Sequence, residues 1–331
     1  MRDVAAVAGV SLKTVSRVVN EEQGVSAGLQ RRVRDAVDLL GYRPNVTASS
    51  LRRTDQKTRT IGLLIEDVSN PFSSALHRAI EDVAVPRGTL VFAASADESP
   101  ERERDLLLAF VSRRVDGLIV VPVGNDHGAM LRDRRLVRPL VFVDRPGAVA
   151  DADTVTVDNR GGVRAAVGHL AAQGHRRIAF LGDVTRIWTV AERHLGYLEG
   201  LTTEGLRLDR RLVIMDVRGS AAAESVAAAL LAADDPPSAL VTAQNLITIG
   251  AIRALQRLGR RHEVALVGFD DVLLADLLDP PVSVIAQDPA ALGRTAAELL
   301  FARLDGDRSP ARHLVLPTRL IARGSGEIPP P

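Results

Sequence analysis

Hydrophobic residues in the first 44 positions recur at helical spacing in three short segments. Gly9 breaks the first segment, and Ser11 is a suitable N-cap for the second, over residues 12–20. The third segment begins after Ser26 and stops at Gly41. The apolar faces consist of Val4, Val7 and Ala8, then Val15, Val18 and Val19, then Val33, Val37 and Leu40. Two short helices joined by a glycine-containing turn and supported by a third predict an all-α helix-turn-helix domain over residues 1–44.

From Thr60 onward, short β-branched runs alternate with helix-length amphipathic segments. Strands are predicted at 61–65, 90–93, 118–121, 140–143, 178–181, 213–215, 239–242 and 264–267, and helices at 72–84, 101–113, 160–173, 190–204, 220–232, 246–258 and 289–304. Strand-then-helix units are typical of parallel sheets with both faces covered. Roughly 270 residues exceed one small doubly wound domain, so residues 60–331 are predicted to form two linked α/β subdomains.

The distribution of charge along the chain is more informative about partners than the net charge. The whole chain has a net charge of only +1, but residues 1–59 hold eleven Lys or Arg against six Asp or Glu. The remainder is mildly acidic. A small basic head on a mildly acidic body suggests that the head alone meets a polyanionic partner.

Several protein classes are excluded or disfavoured. The 331 residues include no Cys, which removes disulfide scaffolds, thiol catalysis and Cys-ligated zinc. No apolar run approaches the roughly 18 residues of a membrane span, and no apolar secretory segment opens the sequence, so a cytoplasmic protein is expected. Nucleophile-elbow, phosphate-loop and dinucleotide motifs are absent, and the seven His lack metal-ligand spacing. We therefore expect neither an enzyme nor a cofactor or metal.

The second helix presents a basic polar face. Lys13, Arg17 and Asn20 lie at i, i+4 and i+7, with Leu12 and Ser16 beside them. Like charges at this spacing repel each other weakly, and an anionic partner would reverse that effect. Lys and Arg read guanine edges in the major groove, while Asn and Ser contact phosphates or bases. A solvated basic face on a small helical domain explains the same pattern, so this helix alone leaves both interpretations open.

Residues 45–59 form a basic tether that supports the DNA interpretation. Residues 43–59 contain five basic side chains against Asp55 alone, and residues 45–51 are helix-compatible but too short to be stable by themselves. Such a segment suits folding on DNA, with Leu51 as a wedge between base steps in the minor groove. The alternative is an ordinary polar linker in which Leu51 packs against its own domain.

Many short motifs are spread over nearly the whole chain. They are Asp3-Val4-Ala5, Ala8-Gly9-Val10-Ser11, Thr14-Val15-Ser16-Arg17-Val18-Val19-Asn20, Gly41-Tyr42-Arg43-Pro44-Asn45, Ser50-Leu51-Arg52, Ser69-Asn70-Pro71-Phe72, Arg114-Val115-Asp116-Gly117, Val157-Asp158-Asn159, Gly174-His175-Arg176-Arg177, Gly268-Phe269-Asp270-Asp271 and Pro317-Thr318-Arg319-Leu320. In this order, they resemble the motifs of the LacI/GalR type of transcriptional regulator.

The resemblance implies a role for each DNA-facing residue. Leu12, Lys13 and Arg17 would read bases, with Ser16 in the same contact surface. Ser11, Thr14 and Asn20 would mainly contact phosphate, and residues 45–59 would be a hinge helix and linker that inserts Leu51, beside Arg52, into the minor groove. Regulators similar to this chain bind pseudo-palindromic operators as homodimers, because one helix reads only a few base pairs.

For the core, the resemblance implies a periplasmic-binding-protein-like arrangement of two parallel-sheet subdomains, with crossings near residues 158, 286 and 317. A small-molecule effector, expected to be a sugar or sugar derivative, would lie in the cleft, where polar residues follow the strand ends. The expected effector contacts are Asn70, Phe72, Asp144, Trp188, Arg193, Gln244 and Asp270. Each polar residue alone is more often a loop cap or a salt-bridge partner, and Asp270 and Arg193 are candidates to pair with each other.

The sequence also departs from the family pattern. Met1 and Arg2 occupy positions where relatives carry a Thr-Ile pair whose Thr caps the first helix, so either the start is misplaced or the first helix is less well anchored. Val217 replaces an aromatic residue that often stacks on the ligand, and Trp188 is a candidate replacement for that surface.

Taken together, the sequence predicts a ligand-responsive transcription factor, most often a repressor in this group, that binds operator DNA and a small molecule. Effector binding would change lobe closure and so shift the population able to bind DNA. Two alternatives are weaker. A solute-binding receptor does not need a basic head, and a sugar-processing enzyme needs a catalytic constellation that the sequence lacks.

Overall fold

A computed structural model describes residues 1–19, 22, 24–42, 57–124, 139–149 and 151–331. The chain divides into two compact units, Met1–Thr60 and Ile61–Pro331. The architecture confirms the predicted fold class, an all-α head followed by an α/β core with two parallel-dominated sheets.

The head contains three helices, α1 (Arg2–Ala8), α2 (Leu12–Val19) and α3 (Ala27–Leu39). Its core is formed by the buried residues Val4, Ala8, Val15, Val18, Val33 and Ala36. Two residues predicted to be buried are not, since Val7 is 52% and Leu40 42% exposed. Helix α3 ends at Leu39, so Leu40 follows the helix, and Ala36 joins the core in its place.

Capping of these helices differs from one to the next. Ser11 caps α2, because its Oγ accepts a hydrogen bond from the Thr14 amide at 3.1 Å. Ser26 stands at the N-cap of α3 without forming a side-chain hydrogen bond, so the predicted cap is wrong in that sense. Met1 precedes α1 and contributes no side-chain cap, as its residue type requires.

The core elements follow in strand-then-helix order. The first stretch contains β1 (Thr60–Ile65), α4 (Pro71–Ala84), a 3-10 turn (Val85–Arg87), β2 (Leu90–Ser95), α5 (Pro100–Ser112), β3 (Gly117–Val120), β4 (Leu140–Val143) and β5 (Asp153–Val157). The second contains α6 (Asn159–Ala172), β6 (Ile178–Leu181), α7 (Trp188–Thr203), a 3-10 turn (Arg210–Leu212), β7 (Val213–Ile214), α8 (Gly219–Leu231), β8 (Ala239–Thr242), α9 (Asn245–Arg257), β9 (Ala265–Phe269) and β10 (Ser283–Ala286). The chain ends with α10 (Pro289–Leu304), β11 (His313–Leu316) and β12 (Arg319–Ile321).

These strands form two six-stranded sheets. The order is β11-β5-β4-β3-β1-β2 in the first lobe and β12-β10-β9-β8-β6-β7 in the second. Strand β10 pairs with β9 in parallel and with β12 antiparallel. Because β1, β3, β4, β6, β8 and β9 pair in parallel, their carboxyl ends meet at one edge of each sheet.

Three connections join the lobes. The chain leaves the first sheet after β5 and enters α6, whose N-cap Asp158 accepts a hydrogen bond from the Gly161 amide. It returns at residues 287–288 into α10, which packs on α4, and crosses again at residues 317–318 between β11 and β12. This arrangement makes the two lobes one unit with a cleft between them.

Four strands, β5, β10, β11 and β12, are absent from the sequence-based strand predictions. Strand β11 is short and lies at a sheet edge, where three of its four residues are exposed, so it lacks a buried apolar run. Strand β5 carries the buried polar residues Asp153, Thr154 and Thr156. Asp153 accepts hydrogen bonds from the side chain of Arg303 and the backbone amide of Arg312, both distant in sequence. Only the tertiary structure supplies these partners.

Candidate functional site

The first residues of α2 form the most accessible part of the candidate DNA-binding face. Ser11, Leu12 and Lys13 are exposed, and Leu12 exposes 47% of its surface although it is apolar. Thr14, Ser16 and Arg17 are partly buried. Asn20, Leu51 and Arg52 lie outside the described residues. Of the six described candidates, Ser11 and Thr14 also serve the helix cap, with their hydroxyls 2.9 Å apart.

Arg17 already has an acidic neighbour within the head. Its Nε lies 3.5 Å from the Glu22 carboxylate, and the two side chains are 38% and 53% exposed. An exposed pair of this kind contributes little to stability. The Glu22 carboxylate therefore contributes little to holding the Arg17 side chain in place.

A cleft of about 550 Å³ lies between the two lobes of the core. Six predicted effector contacts line it, namely Asn70, Phe72, Asp144, Arg193, Gln244 and Asp270. The seventh, Trp188, is partly buried at the start of α7 and is not among the lining residues, whereas its neighbour Ile187 is. Apolar walls are thus provided by Phe72 and Ile187, with Val121 and Val190.

Arg193 is a buried cation of the cleft, and α7 holds it in place. Its Nε donates to Asn159 Oδ1 at 2.8 Å, and its Nη1 donates to the Ala243 carbonyl at 2.7 Å. The guanidinium also lies 3.7 Å from the ring centroid of Phe269. Burial lowers the pKa of Arg193, although the carboxylates of Asp270 and Asp144 oppose that shift, and an arginine stays charged at neutral pH in either case.

Asp144 and Asp270 occupy equivalent positions at the ends of β4 and β9. Both have left-handed backbone conformations, with φ of 69° and 71°, which Asp tolerates better than most residues. Each backbone amide donates a hydrogen bond to the neighbouring strand. These bonds fix the backbone from which each carboxylate projects. Burial raises the pKa of Asp144, and the positive charges of Arg145 and Arg193 partly offset the rise. Asp270 accepts a hydrogen bond from Gln287.

Both compact units of the chain are similar to known protein families. Residues 1–45 match the family model of bacterial regulatory proteins of the lacI family, and residues 167–326 match a periplasmic binding protein-like domain. The HTH-type transcriptional regulator PtxS of Pseudomonas aeruginosa is 35% identical over 335 residues, covering 98% of this chain and 95% of PtxS. The chain belongs to the LacI family.

Solved structures of this LacI family agree with that assignment. The Lac repressor dimer bound to operator and the anti-inducer ONPF matches with a TM-score of 0.86 at 26% identity, covering 98% of both chains. The CelR–cellobiose complex matches with a TM-score of 0.73 at 31% identity, also covering 98% of both chains. This LacI-family chain is accordingly a DNA-binding transcriptional regulator and not an enzyme.

Two hydrogen bonds link the lobes of this LacI-family core across the cleft. Asn245 Nδ2 donates to Asn70 Oδ1 at 2.8 Å, and Arg186 Nη2 donates to the Glu98 carbonyl at 3.0 Å. Asn70 also caps α4, and Gln244 caps α9. Both residues therefore cap a helix and also line the cleft.

The cleft contains charged residues that were not among the predicted contacts. Glu66, Glu98, Arg145 and Asp183 all line it. Arg145 Nη2 donates to Glu98 Oε1 at 2.6 Å, and its Nε lies 3.4 Å from Asp144 Oδ2. Glu66 and Asp183 stand just after β1 and β6, so their positions at strand ends were a usable signal. Glu98 follows β2 after a turn and carries no comparable signal.

Membrane-spanning and metal-holding features are both missing from the part of the chain that the structure describes. No helix there is both long and apolar enough to cross a bilayer. No group of three or more His, Asp or Glu residues there is arranged to hold a metal ion. The cleft instead combines carboxylates, amides and guanidinium groups with apolar walls, which is a set suited to binding.

Proposed function

We propose that this LacI-family regulator is a repressor that binds a pseudo-palindromic operator as a homodimer and releases or engages it in response to a sugar-like effector. In this proposal residues 1–44 read the operator, residues 45–59 act as hinge helix and linker, and residues 60–331 bind the effector and dimerise. Such a protein acts in the cytoplasm, where the DNA is.

The lining of the interlobe cleft is the observation that carries the effector proposal. A sugar hydroxyl both donates and accepts hydrogen bonds, so a site for it needs acceptors and donors around an apolar surface. Asp144 and Asp270 supply acceptors, Arg193 and Gln244 supply donors, and Phe72 supplies a ring face. The CelR–cellobiose complex, a similar protein, carries a sugar.

The start of α2 supports the DNA-reading part of the proposal. Lys13 and Leu12 are exposed there, and Arg17 pairs with the exposed Glu22 at 3.5 Å. Lys and Arg can bond to guanine edges, and an apolar side chain can contact a thymine methyl group. The similar Lac repressor dimer is bound to an operator.

Exposed leucines on the core support the homodimer. Leu273, Leu274 and Leu277 are 84%, 55% and 73% exposed in the turns between β9 and β10. At the edge of the first sheet, β2 presents Leu90 and Phe92 at 61% and 40% exposure. Clusters of exposed apolar side chains mark interaction surfaces, and a second copy of the chain would also cover the β2 edge.

Selection of operator DNA from a random pool with the full chain tests the proposal. We expect enrichment of a two-fold-related sequence whose half-sites lie about one helical turn apart, with salt-sensitive binding. Adding monosaccharides and disaccharides to the selected complex should change its affinity. Failure to enrich any sequence over random DNA contradicts the DNA proposal, and enrichment without any sugar response contradicts only the effector proposal.

A further inference from the structure

Glu66 is a carboxylate that the contacts of the cleft leave unpaired. It follows β1 and lines the cleft, yet its side chain forms no hydrogen bond or ion pair with any residue that the structure describes. Burial disfavours the ionised form of a carboxylate to which no protein donor is bonded. The position of Glu66 therefore suits a ligand that brings a donor.

The surrounding charges do not neutralise Glu66. Besides Glu66, the described lining of the cleft has the carboxylates of Glu98, Asp144, Asp183 and Asp270, against the two guanidiniums of Arg145 and Arg193. Arg145 is paired with Glu98 and Asp144, and Arg193 is bonded to Asn159 and a carbonyl. Asp183 accepts from the neutral amide of Gln244 at 2.7 Å. Negative charge therefore exceeds positive charge in the cleft.

Hydrogen-bonding capacity in the cleft has the same bias toward acceptors. Among the described residues of the lining, the buried side-chain atoms without a hydrogen-bond partner are two acceptors, Glu98 Oε2 and Gln287 Oε1, and one donor, Arg145 Nε, which lies 3.4 Å from Asp144 Oδ2. Burial raises the pKa of Glu66 to about 7, helped by Glu98, Asp144 and Asp183 and opposed by Arg145. A ligand carrying a carboxylate or phosphate would add to this repulsion, whereas an ammonium group brings three donors and a positive charge.

We propose that Glu66, with Asp183 and Glu98 nearby, makes the cleft selective for an amino sugar over the corresponding neutral sugar and sugar acid. This inference rests on the proposed function, since it specifies the chemistry of the same effector. Asp144, Arg193 and Asp270 would hold the hydroxyls, and the ammonium group would pair with Glu66.

Binding of an ammonium group at Glu66 is coupled to the release of a proton. Between pH 6 and 7 much of Glu66 is protonated, because its pKa is about 7 in the unliganded cleft. A bound cation favours the ionised carboxylate, so binding releases a proton from Glu66 and the affinity rises with pH in this interval. The corresponding neutral sugar provides no charge to drive that release.

Calorimetric titration of the full chain with matched sugars tests the inference. The probes are glucose, glucosamine and gluconate, and galactose, galactosamine and galactonate. We expect the amino member of a binding set to bind at least about tenfold more tightly than its neutral counterpart, and the acid to bind most weakly. The heat of binding of the amino sugar at a pH of about 6.5, within the interval where Glu66 titrates, should vary with the ionisation heat of the buffer.

Glu66→Gln keeps the size of the side chain and removes the charge. We expect this variant to bind the amino and neutral sugars with nearly equal affinity and to lose the buffer dependence. Glu81→Gln, on α4 and outside the cleft lining, is the matched control and should keep the preference. The titrations of the wild type with the amino, neutral and acid sugars test the selectivity even if Glu66→Gln fails to fold.

The outcomes separate the two proposals. A neutral sugar or sugar acid that binds as tightly as the amino sugar overturns the selectivity assigned to Glu66 and leaves the sugar-responsive function standing. If no member of either set binds, the selectivity assigned to Glu66 is overturned, whereas the sugar proposal is decided by the response of the operator complex to the wider range of monosaccharides and disaccharides.

Discussion

Single side chains in this protein derive their proposed roles from their immediate neighbours. Arg17 is paired with Glu22, Asp270 with Gln287, and Arg193 with Asn159. Residue type alone does not distinguish a structural pair from a ligand contact. Asp270 and Arg193 are proposed as ligand contacts because they border the cleft, whereas the Asp271–Arg323 pair lies outside it.

Arg17→Ala should reduce affinity for the selected operator by about ten- to a hundredfold, because a bidentate contact to a base contributes about 1–3 kcal/mol of discrimination. Affinity for random DNA should fall much less. Arg78→Ala removes the same charge from an exposed position of the first lobe and should leave both affinities close to wild type. Gel-shift titrations at fixed salt measure them, and equal losses on the two DNAs would show that Arg17 contacts only phosphate.

Asp270→Asn should weaken effector binding by about tenfold or more, since a charged acceptor is replaced by a neutral one. Asn tolerates the φ of 71° at this position, so the fold should be preserved. Asp271→Asn changes the adjacent carboxylate, which pairs with Arg323, and should not alter effector affinity. Calorimetry and operator binding are measured in parallel, and a full effector response in Asp270→Asn would place the ligand elsewhere.

At the scale of helices and strands, side chains from distant parts of the sequence form hydrogen bonds at the ends of elements. Arg32 on α3 donates to the Ala8 carbonyl at 2.6 Å, at the end of α1. Asp153 on β5 binds Arg303 of α10 and the amide of Arg312 before β11. The first arrangement fixes the helix packing of the head, and the second fixes an edge of the first sheet.

Glycine substitutions in the head should have opposite effects at two positions. Gly9 ends α1 with φ of 59°, and a Cβ there would lie 2.7 Å from Arg32 Nη2. Gly9→Ala should therefore destabilise the head by about 1–2 kcal/mol. At Gly28 in α3 no described atom lies within 4 Å of the place that a Cβ would take, so Gly28→Ala should stabilise the head by about 0.5–1 kcal/mol. Amide hydrogen exchange of α1 and α3 in the full chain measures both, and equal signs would contradict the packing described.

Asp153→Asn should cost about 2–4 kcal/mol of unfolding free energy, because it removes the buried carboxylate that accepts two hydrogen bonds from Arg303 and leaves that guanidinium only the more distant Asp307 as an anionic partner. Asp151→Asn, an exposed control two residues away, should change stability by less than about 0.5 kcal/mol. Urea denaturation at neutral pH measures the difference. A cost equal to that of the control would show that the ion pair contributes nothing.

The unfolding free energy of Asp153→Asn should fall less in acid than that of the wild type. Burial by itself raises the pKa of Asp153, but hydrogen bonds from Arg303 and Arg312 outweigh it, so the pKa lies below its ordinary value. Stability from this carboxylate is complete above the unfolded-state pKa of about 4 and is lost as pH falls through the lower folded-state value. The stability difference between wild type and Asp153→Asn should shrink below pH of about 4.

The core combines two lobes, three crossings and surfaces suited to a second copy of the chain. Asn70–Asn245 and Arg186–Glu98 join the lobes across the cleft. A ligand that changes these contacts would change lobe closure, and under the proposed function this change would alter operator affinity. Allosteric coupling of a few kcal/mol is sufficient for such control.

Leu277→Glu should weaken the proposed homodimer by about a hundredfold or more, since each copy would place a charge where the partner is proposed to cover a leucine. Leu208→Glu, at another exposed leucine, is the matched control and should leave association unchanged. Sedimentation of the full chain at micromolar concentration measures the mass. An unchanged dimer in Leu277→Glu would exclude the β9–β10 turns from the interface.

The sequence by itself determined the class of protein and most of its elements. Buried parallel strands are continuous apolar runs and covering helices are amphipathic, so the predicted strands 140–143, 178–181 and 239–242 coincide with β4, β6 and β8. The helix-turn-helix spacing is equally local. These features depend on neighbours within a few positions, which a sequence displays directly.

Only the tertiary structure decided the features that depend on distant residues. Strands β5 and β11 exist because they pair with each other and with side chains some 150 positions away. The cleft gathers Glu66, Asp144 and Asp183 from three strand ends and Glu98 from the turn after β2, and their mutual repulsion arises from that convergence. Charge excess and missing hydrogen-bond partners are properties of a three-dimensional neighbourhood, so no linear pattern encodes them.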